Sequence, residues 1–143
     1  MFELAREIDR AKRTKQQFVL AFVDVDHLKA TNDASGHIAG DDLLREVASA
    51  IRAHVRSYDL IVRFGGDEFV CGLPDVTLTE ADNRFALVNA RLAAASHGSV
   101  SFGLTELQQD DDLQSLVARA DEAMYEQRQA LRSSGRGTRF CRS

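Results

Sequence analysis

Cysteine is scarce, positive charge is in deficit, and no long apolar run interrupts the chain; each shortage removes a class of protein. Only Cys71 and Cys141 are present. They lie far apart and lack metal-ligand spacing, so the expectation is reduced thiols in a cytosolic protein, not a disulfide framework or a zinc module. No apolar run approaches the roughly 20 residues needed to span a bilayer, and no signal peptide is recognisable. Any membrane anchor of the natural protein would lie outside this chain. Acids outnumber bases by 22 to 18, a formal net charge of -4. That argues against a broad nucleic-acid or anionic-membrane surface, both of which need a basic face. Binding of a polyphosphate stays open where a divalent cation mediates. No internal repeat, low-complexity tract or linker is visible. A length of 143 residues with 44% hydrophobic content suits one domain with a single core.

What is there centres on Arg63-Phe64-Gly65-Gly66-Asp67-Glu68-Phe69. Residues 59–64 read as a short strand and 69–73 as another, which puts Gly65-Gly66 at a hairpin tip. Glycine there admits positive φ and lets a ligand approach the backbone. The residues alone allow two readings: a plain hairpin with a solvated acidic tip, or a tip whose acids hold a metal.

Residues 2–14 place Leu4, Ile8, Ala11 and Lys12 at helical spacing, an amphipathic helix lying on the domain. The unbroken apolar run 18–23 suits a strand buried on both faces, and it stops at Asp24-Val25-Asp26. A carboxylate at the end of a central strand is costly unless a cation, an arginine, solvent or a local cap compensates it. Leu43, Val47, Ile51 and Val55, joined by Leu44 and Ala48, predict a helix over 41–56, with Asp41 and Asp42 in its first turn. Beyond the hairpin, Thr79 and Asp82 read as the start of a helix carrying Ala81, Phe85, Val88 and Leu92 inward and ending by Gly98. Residues 99–104 read as a strand. Asp110-Asp111-Asp112 reads as a solvated cap ahead of a helix with Leu113, Leu116, Val117, Ala120 and Met124 inward. Residues 138–141 read as a final edge strand.

Three stretches recur in order and spacing as in one known family: Asp24-Val25-Asp26-His27-Leu28-Lys29-Ala30-Thr31-Asn32-Asp33, then Gly36-His37 to Gly40-Asp41, then Arg63 to Phe69. The chain resembles the GGDEF domains of diguanylate cyclases essentially from Phe2 to its C-terminus. That resemblance implies an α/β (α+β) fold: a palm-like central mixed β-sheet covered by helices, similar to class III nucleotidyl cyclases, with the motif on a β-hairpin. It also implies condensation of two GTP into cyclic di-GMP with loss of two pyrophosphates, each step an attack by a ribose 3′-hydroxyl on an α-phosphate. Acids gathering magnesium, or manganese, suit such a transfer.

By position in the family motifs, Asp24 and Glu68 are implied metal ligands, with Asp67 binding metal or helping to deprotonate the hydroxyl and the Val25 carbonyl adding an oxygen. Asp67 and Glu68 are the implied catalytic pair. Asn32 and Asp41 match the family's guanine-reading positions, and a carboxylate can accept from the guanine N1 and N2 hydrogens. Lys29 and the amides after Asp26 would meet phosphate, with Gly65 and Gly66 in the substrate loop. Arg56-Ser57-Tyr58-Asp59 matches an inhibitory product site, Arg-x-x-Asp, five residues ahead of the glycines; read plainly, Arg56 and Asp59 form a weak surface ion pair. Since each domain presents one GTP, catalysis would need a homodimer.

The chain departs from the family pattern in three places. Tyr125 is followed by Arg128, Arg132 and then Gly135-Arg136, where the family has a phosphate-binding lysine and a Gly-Arg pair close behind. Arg128 and Arg132 share a helix face, and either can take the lysine's place or merely satisfy the helix dipole. Leu28 replaces a usual phenylalanine. The family's Asp-x-Leu-Thr-Gly-Leu-x-Asn-Arg type segment would end just before Met1-Phe2, so 1–143 is expected to be a single GGDEF domain without that segment or an upstream sensor. These departures leave an alternative open, a catalytically inactive GTP- or cyclic di-GMP-binding regulatory module. A nucleic-acid polymerase fragment is disfavoured by the charge and the guanine-reading positions.

Overall fold

The computed structural model describes the backbone of residues 2–95 and 98–137, with side chains from residue 132 onward outside the described residues. The elements run α1 (Phe2–Thr14), β1 (Phe18–Val25), α2 (Leu28–His54), β2 (Leu60–Arg63), β3 (Glu68–Pro74), α3 (Leu78–Ala95), β4 (Val100–Glu106) and α4 (Leu113–Gly137). The expected strand over 138–141, with Cys141, lies outside the described residues.

The sheet has strand order β2-β3-β1-β4, and all its pairings are antiparallel. It is therefore not the mixed sheet expected from the resemblance. The reason lies in the connections. Helix α2 returns β2 in the direction of β1, but β3 is inserted between them; α3 returns β4 in the direction of β3, with β1 between. Strands running the same way never become neighbours, giving the split βαβ arrangement.

Side chains alternate across β1. Val19, Ala21, Val23 and Val25 face a core completed by Val47, Ile51, Phe85 and Leu92 of α2 and α3. Phe18, Leu20 and Phe22 face a second core with Leu4 and Ile8 of α1 and Leu116, Ala120 and Met124 of α4. Helix α4 lies against β4 so closely that a Cβ at Gly103 would collide with the backbone of Ala120 and Met124. The outer edge of β4 is also covered: Val100 N–H donates to Asn89 Oδ1 at 2.8 Å and Phe102 N–H to Gln127 Oε1 at 3.0 Å. Satisfied edge amides discourage a further strand from adding there.

Local chemistry moves two expected boundaries and buries one acid of the expected solvated cap. Helix α2 begins at Leu28, not at 41, and Gly36 breaks it at φ 87°, ψ 169°. Asp41 and Asp42 therefore stand beyond the first turn, and Asp42 pairs with Arg45 at 3.3 Å. Helix α3 starts two residues early because Thr77 and Glu80 form a reciprocal capping box, both bonds 3.1 Å, in place of Thr79 and Asp82. In the acidic run, Asp112 caps α4 by accepting from Ser115 N–H at 2.8 Å. Asp111 is not solvated but buried, paired with Arg119 and bonded by Ser115 Oγ and the Gln108 N–H.

Candidate active site

A single rung of the sheet carries the acids. Asp24 of β1 lies directly opposite Glu68 of β3 and Ser101 of β4. Opposed residues share a face, here the face covered by α4. The hairpin loop is tied to the same place by its backbone, since Val25 N–H donates to the Asp67 carbonyl at 2.9 Å and Phe64 N–H to Glu68 O at 2.8 Å. Arg63 steadies the tip by donating to the carbonyls of Gly65 at 3.3 Å and Gly66 at 2.7 Å. Neither glycine adopts a left-handed φ, contrary to the reason expected for them. A Cβ on Gly65 would meet the carboxylate end of the flexible Glu68 side chain, which would have to shift, and Gly66 faces open space.

Electrostatically the rung is incomplete. The Asp24 side chain is 14% exposed, and its Oδ1 is buried with no hydrogen-bond partner. Burial first, then the neighbouring Asp67, pushes the Asp24 pKa from 3.8 to about 7, with Glu68 adding to the rise and Arg128 opposing it. Burial, then Asp67 and Asp121, also raises Glu68. A desolvated carboxylate oxygen facing other carboxylates suits a hard cation. Among the described residues, no three ligating side chains converge closely enough to hold a metal ion. The cation beside Asp24 is instead Arg128, whose Nη1 lies 3.4 Å from Asp24 Oδ2.

Arg128 also binds Asp26, a residue the motif reading left without a role. Its Nη2 lies 3.1 Å from Asp26 Oδ1, and its Nε donates to Ser101 Oγ at 3.2 Å. Asp26 in turn accepts from the hydroxyls of Ser99 and Ser101, each at 2.7 Å. The available signal was the period-2 spacing of Asp24-x-Asp26 and Ser99-x-Ser101, two polar pairs at the ends of strands that become neighbours.

Asp24, Val25, Asp26, Lys29, Asp67, Ser101 and Arg128 line one open cleft of about 460 Å³. His27, in a left-handed conformation at φ 60°, turns the chain from β1 into α2 and leaves that helix start without a side-chain cap. Lys29 is exposed beside it. Asn32 and Asp41 are not in this lining. They lie further along α2, where the Gly36 break brings Asn32 against Gly40, so closely that a Cβ on Gly40 would meet Asn32 Oδ1. Asp41 is exposed next to that contact. The side chain of Arg132 lies outside the described residues.

Arg56 and Asp59 form a separate cluster at the end of α2, and it is not the weak surface pair of the plain reading. The Asp59 side chain is fully buried, 3.4 Å from Arg56 Nη2 and 3.3 Å from Arg84 Nη1. Asp59 also accepts from the Arg56 N–H at 2.7 Å, and the Arg56 guanidinium donates to the Pro74 carbonyl while lying 4.5 Å from the Tyr58 ring centroid.

Comparison with known proteins agrees with this architecture. The family model described as "Diguanylate cyclase, GGDEF domain" matches residues 2–134. The chain is 34% identical over 137 residues to diguanylate cyclase DgcP of Pseudomonas aeruginosa, covering 90% of this chain and 20% of that protein. It is 36% identical over 129 residues to diguanylate cyclase DosC of Escherichia coli K12, covering 84% of this chain and 28% of that one. The chain thus spans well under a third of these curated relatives. The GGDEF domain of DgcB from Caulobacter crescentus, solved in complex with c-di-GMP, superposes with a TM-score of 0.83 at 27% identity, covering 90% of this chain and 81% of that one. Matched from its first helix almost to the end of its last, the chain belongs to the GGDEF-domain family.

Proposed function

We propose that this chain is the catalytic unit of a diguanylate cyclase, joining two GTP into cyclic di-GMP with release of two pyrophosphates. The carrying observation is the buried, unpartnered Oδ1 of Asp24 on a rung with Glu68 and beside Asp67. Drawn closer together than they stand here, Asp24, Asp67, Glu68 and the Val25 carbonyl would hold magnesium or manganese, for which hard oxygen donors are suited. When bound, the cation neutralises phosphate charge and favours the ionised 3′-hydroxyl.

The chain's own residues supply the remainder. Lys29 and the uncapped start of α2 meet phosphate oxygens with positive charge and free N–H groups. Arg128, or Arg132 one turn on, adds a cationic contact from α4 in place of the family's lysine. Asn32 and Asp41 hold the guanine edge, Asp41 accepting from N1 and N2 hydrogens that adenine does not offer together. Asp67, at the loop tip, accepts the proton of the attacking hydroxyl. Two chains must face each other to bring two nucleotides together, so the active form is a homodimer.

Product feedback at Arg56 and Asp59 belongs to the same proposal. A partly exposed Arg56 opens onto a second cleft with Arg52, Val55 and Leu60, where a guanidinium can bond guanine O6 and N7. Buried Asp59 holds that arginine in place.

Incubation of the purified chain with GTP and magnesium, with nucleotides separated by chromatography, should yield cyclic di-GMP. Tight GTP binding without any product would favour the regulatory-module reading. In calorimetric titration, GTP should bind about tenfold or more better than ATP, since adenine leaves the carboxylate without its donors. Equal affinities would remove Asn32 and Asp41 from the pocket.

A further inference from the structure

The guanidinium of Arg128 touches three polar groups at once, and only one of them is an acid of the rung. Its Nη1 faces Asp24 Oδ2 at 3.4 Å, Nη2 faces Asp26 Oδ1 at 3.1 Å and Nε donates to Ser101 Oγ at 3.2 Å. The hold on Asp26 is itself reinforced, because Ser99 and Ser101 bond the same carboxylate at 2.7 Å each. The grip on Asp24 is looser, longer and one-sided, and it leaves Asp24 Oδ1 buried and unpartnered. One side of the fork is thus anchored and the other rests on a ligand-type oxygen.

We propose that Arg128 is a resident counter-cation of the acid rung, which a divalent cation must displace from Asp24 while Asp26 and Ser101 keep the arginine in the cleft. It rests on the reading that Asp24 holds a divalent cation. A guanidinium on Oδ2 and a divalent cation on Oδ1 of the same carboxylate repel one another in a partly desolvated site, and that repulsion favours loss of the arginine's longest contact, the 3.4 Å one to Asp24, over its anchored ones. Displacement frees Nη1 toward the cleft, where the phosphates of a nucleotide would lie. Lys29 is the other cation in that lining, and it is exposed and on α2, so it does not substitute for Arg128 on Asp24. Arg128 is in this respect a positioning residue: it sets how readily the rung accepts a cation, and its anchor on Asp26 sets where the freed charge points.

The test is manganese binding to the full chain without nucleotide, read by electron paramagnetic resonance of free manganese at pH 8.5. Arg128→Met keeps the aliphatic stem and should tighten manganese binding about tenfold or more. Arg128→Lys keeps the charge and should stay near the parent. Asp24→Asn should lose the site. If Asp24→Asn abolishes binding and Arg128→Met binds no tighter than the parent, the counter-cation role is wrong while the metal site stands. If Asp24→Asn binds manganese as the parent does, the metal reading itself fails, and this inference with it. A second measurement needs no substitution in the observed protein. On magnesium titration of the parent, the side-chain Nε–H signal of Arg128, assigned by its loss in Arg128→Lys, should shift in step with occupancy. A signal that stays still while magnesium binds overturns the proposal.

Discussion

Among the described residues Asp59 and Asp111 are buried and Asp24 is half-buried, and the surroundings of the three differ in a way that separates architecture from chemistry. Asp59 is fully buried and shared by two arginines and an N–H group. Asp111 is 4% exposed and satisfied by Arg119, Ser115 and the Gln108 N–H. Asp24 is nearly as enclosed, yet one oxygen has no partner and its nearest charged neighbours include two more acids. A fold gains from the first two and is burdened by the third. Burial alone does not mark a functional acid; burial with an unmet valence does.

The sharpest way to break that distinction is to neutralise Asp24 and look at turnover and stability together. Asp24→Asn keeps the shape and removes the charge, and Glu68→Gln does the same one strand away. Loss of one such electrostatic contact should lower turnover by roughly 10²- to 10³-fold. Thermal stability of the metal-free Asp24→Asn chain should not fall, because the charge removed is an under-compensated one. Near-parental product formation by both variants, or a large drop in melting temperature for Asp24→Asn, would put Asp24 in the same class as Asp59.

Asp59 predicts the opposite pattern. Asp59→Asn leaves Arg56 and Arg84 without their shared anion, and breaking a buried pair in this way costs about 3 kcal/mol. Urea denaturation should show that loss, while GTP binding by the variant that remains folded stays near the parent. A cost under about 1 kcal/mol would return the cluster to the class of surface pairs. Because Asp59 carries stability, Arg56→Ala alone is the cleaner probe of product binding, and cyclic di-GMP should then be lost with little disturbance of the fold.

Much of this contrast was legible in the chain. The run ending at Asp24, the Gly65-Gly66 turn and the helical spacing of Val47, Ile51, Phe85 and Val88 report directly on backbone period, so the sandwich of sheet and helices followed. The burial of Asp59 and Asp111 was not legible, because their arginines come from elsewhere: Arg84 lies 25 residues from Asp59, and Arg119 eight residues from Asp111. An acidic triplet has the same composition whether solvated or buried. Asp26 was passed over for a related reason, since its partners Ser99, Ser101 and Arg128 meet it only after β4 pairs with β1 and α4 covers the sheet. The α2 boundary was missed because the apolar spacing that marks the helix begins only beyond residue 41, whereas the chain is already helical from Leu28 on the near side of the kink at Gly36.

The smallest effect expected is at Asp111, and it has a pH signature of its own. Burial works to raise this carboxyl, but it is outweighed by the Arg119 hydrogen bond, the Gln108 N–H and the Ser115 hydroxyl, so the folded pKa lies below 3.8. A depressed folded value means that the ionised form is the one the fold favours. Its contribution is therefore present above the unfolded pKa and disappears as pH falls through the folded one. Since Arg119 is itself 37% exposed, solvent screens part of the pair, and Asp111→Asn should cost about 2 kcal/mol at neutral pH. The gap between parent and variant should hold from pH 7 down to about 4 and close below that, as the parent's carboxyl takes up its proton. A gap that is constant from pH 7 to pH 2 would mean that Asp111 acts through shape and hydrogen bonding rather than charge. A gap that widens on acidification would reverse the assigned sign and place Asp111 beside Asp24.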